Sequence, residues 1–471
     1  MKREHSLISN TFILALGKFL PSATALVTLP IVTEMLTAEE YGQYDLITTV
    51  VYILTIFVHL QIQQAVFRYL IDVRGDKRQD VYISTTYFFE LGPSLLVSVA
   101  FAIFYGDLPA PAPFLLGYYL LIVLQYNIVG QVSRGLGNNK VYTVGSVIQS
   151  VLNMVLIVVL VSGVRLGFTG LFLSLDIAYT AAFIYQFFSA GQWKFISRRS
   201  FSREALKEML SYSWPMVPNS LSIWIVNTCD KFVIRAFLGV RYNGIFAVAQ
   251  KIPNIYTVAY GTFNMAWQES ASISVNDSDH DSYYSHVFAA LFDFLTGCVL
   301  VLIAATPLLF AILIKGDYSE SYPQIPLLYI GVFLSSISAF YGSIYIAQKE
   351  TRAVGTSSAI GAVINLIVNL ALVGSIGLYA ASISTIVSYL ILVAYRAADI
   401  KKHKLAAIEY DVKRLALCVV LILLCCTLCY IQTSLTDVIN VLLALTFFFI
   451  LNRKLICSVF AALSKKFGAG R

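Results

Sequence analysis

Runs of about 20 apolar residues, each closed by polar or charged turns, recur from one end of the chain to the other, and that is the length an α-helix needs to cross a bilayer. Fourteen such windows are predicted, near 11–33, 46–67, 82–104, 114–133, 141–161, 168–189, 214–237, 244–267, 287–310, 325–347, 355–374, 378–396, 415–431 and 438–451. The last is the shortest. No strand-like alternation competes with them, so the pattern predicts an all-α polytopic membrane protein. The first run is too long for a signal peptide's apolar region and no small-residue cleavage site follows it, so it is expected to be the first span.

Polar positions inside these windows are ordered. In the eighth, Gln250, Asn254, Thr257, Gly261, Asn264 and Gln268 step 4-3-4-3-4 and form one edge of a helix. In the second, Thr48, Tyr52, Thr55, His59 and Gln63 do nearly the same, and the fifth and eleventh carry Gln149 with Asn153 and Asn365 with Asn369. Isolated polar residues in a membrane hydrogen-bond between helices at ~0.6 kcal/mol each. An edge running the depth of the bilayer exceeds what packing needs, and a hydrated cavity is expected to be lined by His59, Gln149, Asn153, Gln250, Asn254, Asn264, Asn365 and Asn369.

The windows also repeat. Leu36, Gly42 and Tyr44 return as Leu238, Gly244 and Phe246 at an offset of 202, and Phe89-Glu90 returns as Phe292-Asp293 at 203. Two pseudo-symmetric six-helix halves, 1–189 and 214–400, are therefore expected in parallel topology. Between them lies the polar, basic segment 190–213, in which Phe201, Leu206, Met209 and Leu210 give one apolar side. It reads as a linker with a helix on the cytoplasmic surface or as a plain solvated loop. Residues 401–471, with the last two spans, have no counterpart and form an appended pair and tail.

Composition changes this picture little. The 471 residues are 58% hydrophobic and 13% charged, against about 25% charged for a soluble domain. With the N-terminus inside, 26 of the 33 Lys and Arg fall in cytoplasmic segments, so the net charge of +7 is read as topology with both termini cytoplasmic, not as a nucleic-acid footprint. Residues 269–285 should be inside yet carry no Lys or Arg. Seven cysteines and five histidines show no metal or disulfide pattern, and Cys426-Thr-Leu-Cys429 lies within an apolar helix where packing is the expected role. No metal, catalytic group or cofactor is expected.

Charge inside the spans is the candidate chemistry, because a central ion costs at least ~2.5–3.5 kcal/mol on insertion scales. Lys18 and Lys251 lie deep in their windows, and Lys231 shares a face with Asn227 and Arg235 near the outer end of the seventh. Such cations either pair with carboxylates or meet an anion; Lys231 and Arg235 also lie close enough to the interface to snorkel. The acids Glu90, Asp176 and Asp293 could form salt bridges or titrate in an ion-coupled cycle using H+ or Na+.

Three stretches carry a family resemblance. They are Asp230-Lys-Phe-Val-Ile-Arg-Ala-Phe-Leu238-Gly239 running into Gly244-Ile-Phe-Ala-Val-Ala-Gln-Lys-Ile252, Leu29-Pro30-Ile31 followed by Leu36 and Tyr41-Gly42, and Asn365-Leu-Ile-Val-Asn369 leading to Gly377. The chain resembles the polysaccharide-export branch of the multidrug/oligosaccharidyl-lipid/polysaccharide exporter superfamily, especially the Wzx-type O-antigen flippases, over roughly residues 5–400. The resemblance implies a bacterial inner-membrane flippase for an undecaprenyl-diphosphate-linked oligosaccharide. It implies that Lys18 and Lys251 form a cationic substrate site, and that a polysaccharide polymerase and a chain-length regulator are partners; the basic face of Lys231 and Arg235 is read beside them as a contact that draws or releases an anionic head group, or as an anchor of the helix end. A lipid II flippase and a cation-coupled multidrug exporter of the same superfamily are the alternatives. A membrane polymerase or glycosyltransferase is disfavoured, because no outer loop exceeds about 15–20 residues, the length of a connector.

Overall fold

The computed structural model describes residues 20–275 and 277–468. Every element it assigns among them is helical. The N-terminal half comprises α1 (Leu20–Met35), α2 (Ala38–His59), α3 (Ile62–Asp72), α4 (Arg78–Phe104), α5 (Ala112–Gly135), α6 (Asn139–Leu156) and α7 (Gly167–Ser189). A π-helical turn, Ile157–Gly163, continues α6. The linker folds as α8 (Arg203–Ser213). The C-terminal half comprises α9 (Met216–Phe237), α10 (Val240–Ser274), α11 (His280–Leu313), α12 (Gln324–Ala347), α13 (Thr351–Ile376) and α14 (Tyr379–Lys402), and α15 (Val412–Ile431) and α16 (Ser434–Gly468) follow.

Eleven described helices are long and apolar enough to cross a membrane, so this is a multi-pass membrane protein. α9 and α10 fall outside those eleven, and they are the helices loaded with Lys231, Arg235, Lys251 and the amide edge. The expected fourteenth window, 438–451, lies within a helix of 35 residues.

The six-helix repeat is visible in packing. In each half the fourth helix (α5 or α12) packs against the second, third and sixth, and the fifth pairs with the sixth. Compactness divides the chain at Lys231/Phe232, inside α9, with 315–317 joining the first unit.

Two close approaches show how small residues set these seams. A Cβ on Gly145 of α6 would lie 2.1 Å from Gln186 Nε2 of α7. A Cβ on Gly297 of α11 would lie 2.7 Å from Asn452 Nδ2 and 2.8 Å from Phe448 Cδ2, both on α16. Glycine therefore admits α16 against α11, and with α15 it makes the appended pair a cover on that helix. Cys425, Cys426 and Cys429 are buried on α15, in the packing role expected of them.

The second window departs from expectation. It is not one helix: α2 stops at His59, and Leu60 and Gln61 adopt left-handed φ values of 47° and 62° before α3 begins. Two successive non-glycine residues there are costly, about 1–3 kcal/mol each. The break lets α3 turn a fully buried face, Ile62, Ala65, Val66 and Leu70, onto Ile83, Ile128 and Val132. In the following turn Asp76 accepts from Arg78 N and Nε at 3.0 Å each, and these bonds hold its carboxyl below the usual aspartate range. Arg74 donates to the terminal carbonyl of α5, Gly135 O, at 2.9 and 3.2 Å, a cationic cap on a helix C-terminus.

Candidate functional site

The 4-3-4 spacing on α2 sets Thr48, Tyr52, Thr55 and His59 on one edge, and all four line a cavity of about 440 Å³. The Leu60–Gln61 break carries the lining on through Gln61, Gln63 and Gln64. α5 faces it with Tyr119, Tyr126, Asn127 and Gln131, α7 adds Tyr179 and α9 adds Ser220. Tyr126 and Tyr179 meet edge to face at 5.1 Å, which fixes two ring orientations, and the Tyr126 hydroxyl is 3.4 Å from Ser146 Oγ. Among the described residues no lysine or arginine lines this space. Arg134 lies behind it, donating to the lining Gln131 at 3.0 Å with its guanidinium 4.6 Å over Phe67 and 5.4 Å over Tyr142.

At one end of the edge, His59 is 1% and Glu90 0% exposed. His59 Nδ1 lies 3.0 Å from Glu90 Oε1, at ion-pair distance though off hydrogen-bond alignment. Glu90 therefore meets an imidazole, not a lysine. Ser94 and Ser98 continue its face of α4, both buried, with hydroxyls that find no partner among the described residues. Asp176 on α7 is 3% exposed and neither of its carboxylate oxygens has a hydrogen-bond partner there. Burying a polar group in this way is costly, so the position is not explained by stability.

The other candidates are scattered. Lys18 and the side chain of Asn227 lie outside the described residues. Lys231 is 14% exposed; its ammonium sits 2.9 Å from both carboxylate oxygens of Asp45 and 3.3 Å from Thr49 Oγ1. Its charge is already matched by a carboxylate at the start of α2. Arg235 is exposed, and Lys251 is half-buried on α10. The α10 edge is largely open: Asn254, Thr257 and Gly261 are exposed, Gln250, Asn264 and Gln268 half-buried. Among the described residues, Asn264 is the member of this edge seen bonded across the seam to α12, accepting from Ser343 at 3.2 Å.

Gln149 is half-buried and accepts from Ser150 at 3.4 Å. Asn153 accepts from Ser174 of α7 at 3.1 Å. Asn365, 5% exposed, donates to Ser384 at 3.4 Å and Thr385 at 3.5 Å of α14, and Asn369 is fully buried. These amides sit in or beside the seams between fifth and sixth helices, where they serve interhelical bonding. Asp293 accepts from Arg414 Nε at 2.7 Å, with a second contact from Nη2.

Asp45, Tyr119, Tyr126, Asn127, Gln131 and Tyr179 were missed as site residues. Asn127 and Gln131 are four apart, the amide spacing singled out in other helices, so α5 did carry a legible signal.

A sequence model described as polysaccharide biosynthesis protein matches residues 7–268, more than half of the chain. The chain belongs to that family. The matched region contains every residue of the cavity. Among solved structures, this family member's fold is similar to that of the lipid II flippase MurJ in an inward closed conformation, with a TM-score of 0.68 and 15% identity over 95% of this chain and 100% of that one. It is also similar to an inward-facing multidrug resistance MATE family transporter of the MOP superfamily (TM-score 0.63, 15% identity, 84% and 95% covered). A MOP superfamily transporter from Pyrococcus furiosus Vc1 matches at 0.55 with 15% identity, 84% and 96% covered. At these identities the likeness establishes the fold, that of MOP-type transporters. No curated protein sequence matches.

Proposed function

We propose that this family member is a flippase that carries a lipid-linked oligosaccharide, of the undecaprenyl-diphosphate-linked kind, from the cytoplasmic to the outer leaflet of a bacterial inner membrane by alternating access. The observation that carries the reading is the chemistry of the cavity: amides, hydroxyls and tyrosine rings with no lysine or arginine among its described lining. Amide and hydroxyl groups exchange donors and acceptors with sugar hydroxyls, and tyrosine offers an apolar ring with a polar tip. Such a surface supports a glycan better than a cationic drug. The biosynthetic family supports the same substrate class. Lys18 and Lys251 remain the proposed contacts for the diphosphate, as point-charge partners of an anion.

Coupling to a proton fits the His59–Glu90 pair. Its imidazole and carboxylate are both buried and 3.0 Å apart, close enough to hold one proton between them. Asp176 is the second carboxylate proposed to take part. A polymerase and a chain-length regulator are proposed to work downstream of the product.

The test is transfer of an undecaprenyl-diphosphate-linked oligosaccharide across proteoliposomes, read by access of an external glycosidase. Transfer by the wild type supports the reading. Efflux of a cationic dye without glycolipid transfer would move it to a multidrug exporter, and transfer restricted to lipid II to a lipid II flippase.

A further inference from the structure

The linker helix α8 has a buried and an open side. Ala205, Met209 and Ser213 are buried, with Met209 in the cluster around α3. The approach to the helix is pinned as well: Ser197 N and Ser202 N donate to Ser84 Oγ and Thr85 Oγ1 of α4 at 3.0 Å each. α8 is thus a fixed wall. At the edge of that buried side Leu206 and Leu210, half-buried against the same cluster, join Leu60 and exposed Trp214 to form a shallow, mostly apolar groove of about 550 Å³. Arg203 and Lys207, four residues apart on one face, edge it. Both are exposed, and among the described residues neither pairs with a carboxylate.

The groove and the polar cavity share a wall. Leu60 lines the groove, while His59 and Gln61 on either side of it line the cavity. The paired left-handed residues of the α2–α3 break make this possible, because a continued helix would not send three successive side chains into two spaces in this order. An apolar floor, two unmatched cations and an adjoining chamber of amides and tyrosines thus lie in sequence.

We propose that the α8 groove is the loading site for the isoprenyl-diphosphate portion of the substrate: the first isoprene units lie on Leu60, Leu206, Leu210 and Trp214, and the diphosphate sits on Arg203 and Lys207. The glycan is then delivered past Leu60 into the cavity. This rests on the flippase reading and adds to it a substrate contact in the linker. A polyisoprenyl diphosphate is the occupant that charge complementarity selects, because it joins a hydrocarbon chain to at least two negative charges at one point, matched to two cations one helical turn apart.

Two measurements on the full-length protein test it. The first is binding of sugar-free undecaprenyl diphosphate to protein in phosphatidylcholine nanodiscs. In R203Q/K207Q the Kd is expected to rise about tenfold, the scale of two partly exposed charge contacts, and R203K/K207R to restore it. The second is glycolipid transfer in proteoliposomes, where the half-saturating concentration of R203Q/K207Q should rise with the maximal rate kept. Unchanged binding in R203Q/K207Q overturns the loading site, whether or not the wild type transfers glycolipid. Displacement of the diphosphate lipid by equimolar phosphatidylglycerol also overturns it, since the groove would then be a general anionic-lipid contact. Failure of wild-type transfer with the binding difference intact would strike the flippase reading and leave the lipid site standing.

Discussion

Glu90 and Asp293 hold matching places, early in the third helix of each half and each preceded by phenylalanine, yet the two halves use them differently. Glu90 is fully buried against the imidazole of His59. Asp293 is clamped by the planar guanidinium of Arg414, on the first turn of α15. In the first half the acid lies against His59, which lines a polar cavity. In the second it fastens the appended helices, with Asn452 of α16 reaching its backbone carbonyl at 3.5 Å. A repeated position thus keeps its carboxylate while its partner changes from an imidazole to a guanidinium.

The contrast breaks first at Glu90. Glu90→Gln removes the charge facing His59. If the ~3 kcal/mol typical of a broken buried pair falls on one state of the cycle, transfer drops about a hundredfold, and a transmembrane pH gradient no longer alters the rate. A variant whose transfer still follows the gradient would take the proton switch away from this pair. Arg414→Ala should act the other way. Loss of this half-exposed partner is expected to lower unfolding stability in detergent by about 2 kcal/mol, with transfer per folded molecule within about twofold. Unaltered stability with lost transfer would make Asp293 a working residue.

Glycines sharpen the comparison at smaller cost. Gly297→Ala should destabilise by about 1–3 kcal/mol through overpacking, since neighbours of α16 stand 2.7 and 2.8 Å from the new Cβ; thermal unfolding reads it. The smallest effect is expected at Asp45–Lys231, the fixed pair of the first half. A double-mutant cycle with alanine should give a coupling of about 1 kcal/mol and no change in gradient dependence. A coupling near zero would leave Lys231 open to an external anion.

Much of the fold was legible because lipid imposes it. Every backbone group must be satisfied within a helix, so apolar length alone placed the helices. The break at Leu60–Gln61 was hidden, since neither residue is the Gly or Pro that ordinarily announces one. The α2 edge was legible because helical spacing fixes which side chains share a face. Which partner that face meets is a tertiary matter: Glu90 finds His59, and Lys231 finds Asp45 186 positions away. The amides Asn365 and Asn369 show the same limit, for their spacing resembles that of the α2 edge while the structure places them in the α13–α14 seam.

Helices α10 and α11 contain 35 and 34 residues, about 50 Å each at the helical rise, and the hydrocarbon slab is about 30 Å thick. Even a tilt of about 40° absorbs only about 40 Å of such a rod. Each helix is therefore longer than the slab it crosses, and their adjoining ends, on either side of residues 275–279, form a paired spar. Its two legs are bolted together by Ser270 to Tyr283 at 2.6 Å and by Tyr284 to the carbonyl of Ala271 at 2.7 Å. A spar raised beyond the headgroups would be held by no anionic lipid, which fits the lack of Lys and Arg across 269–285.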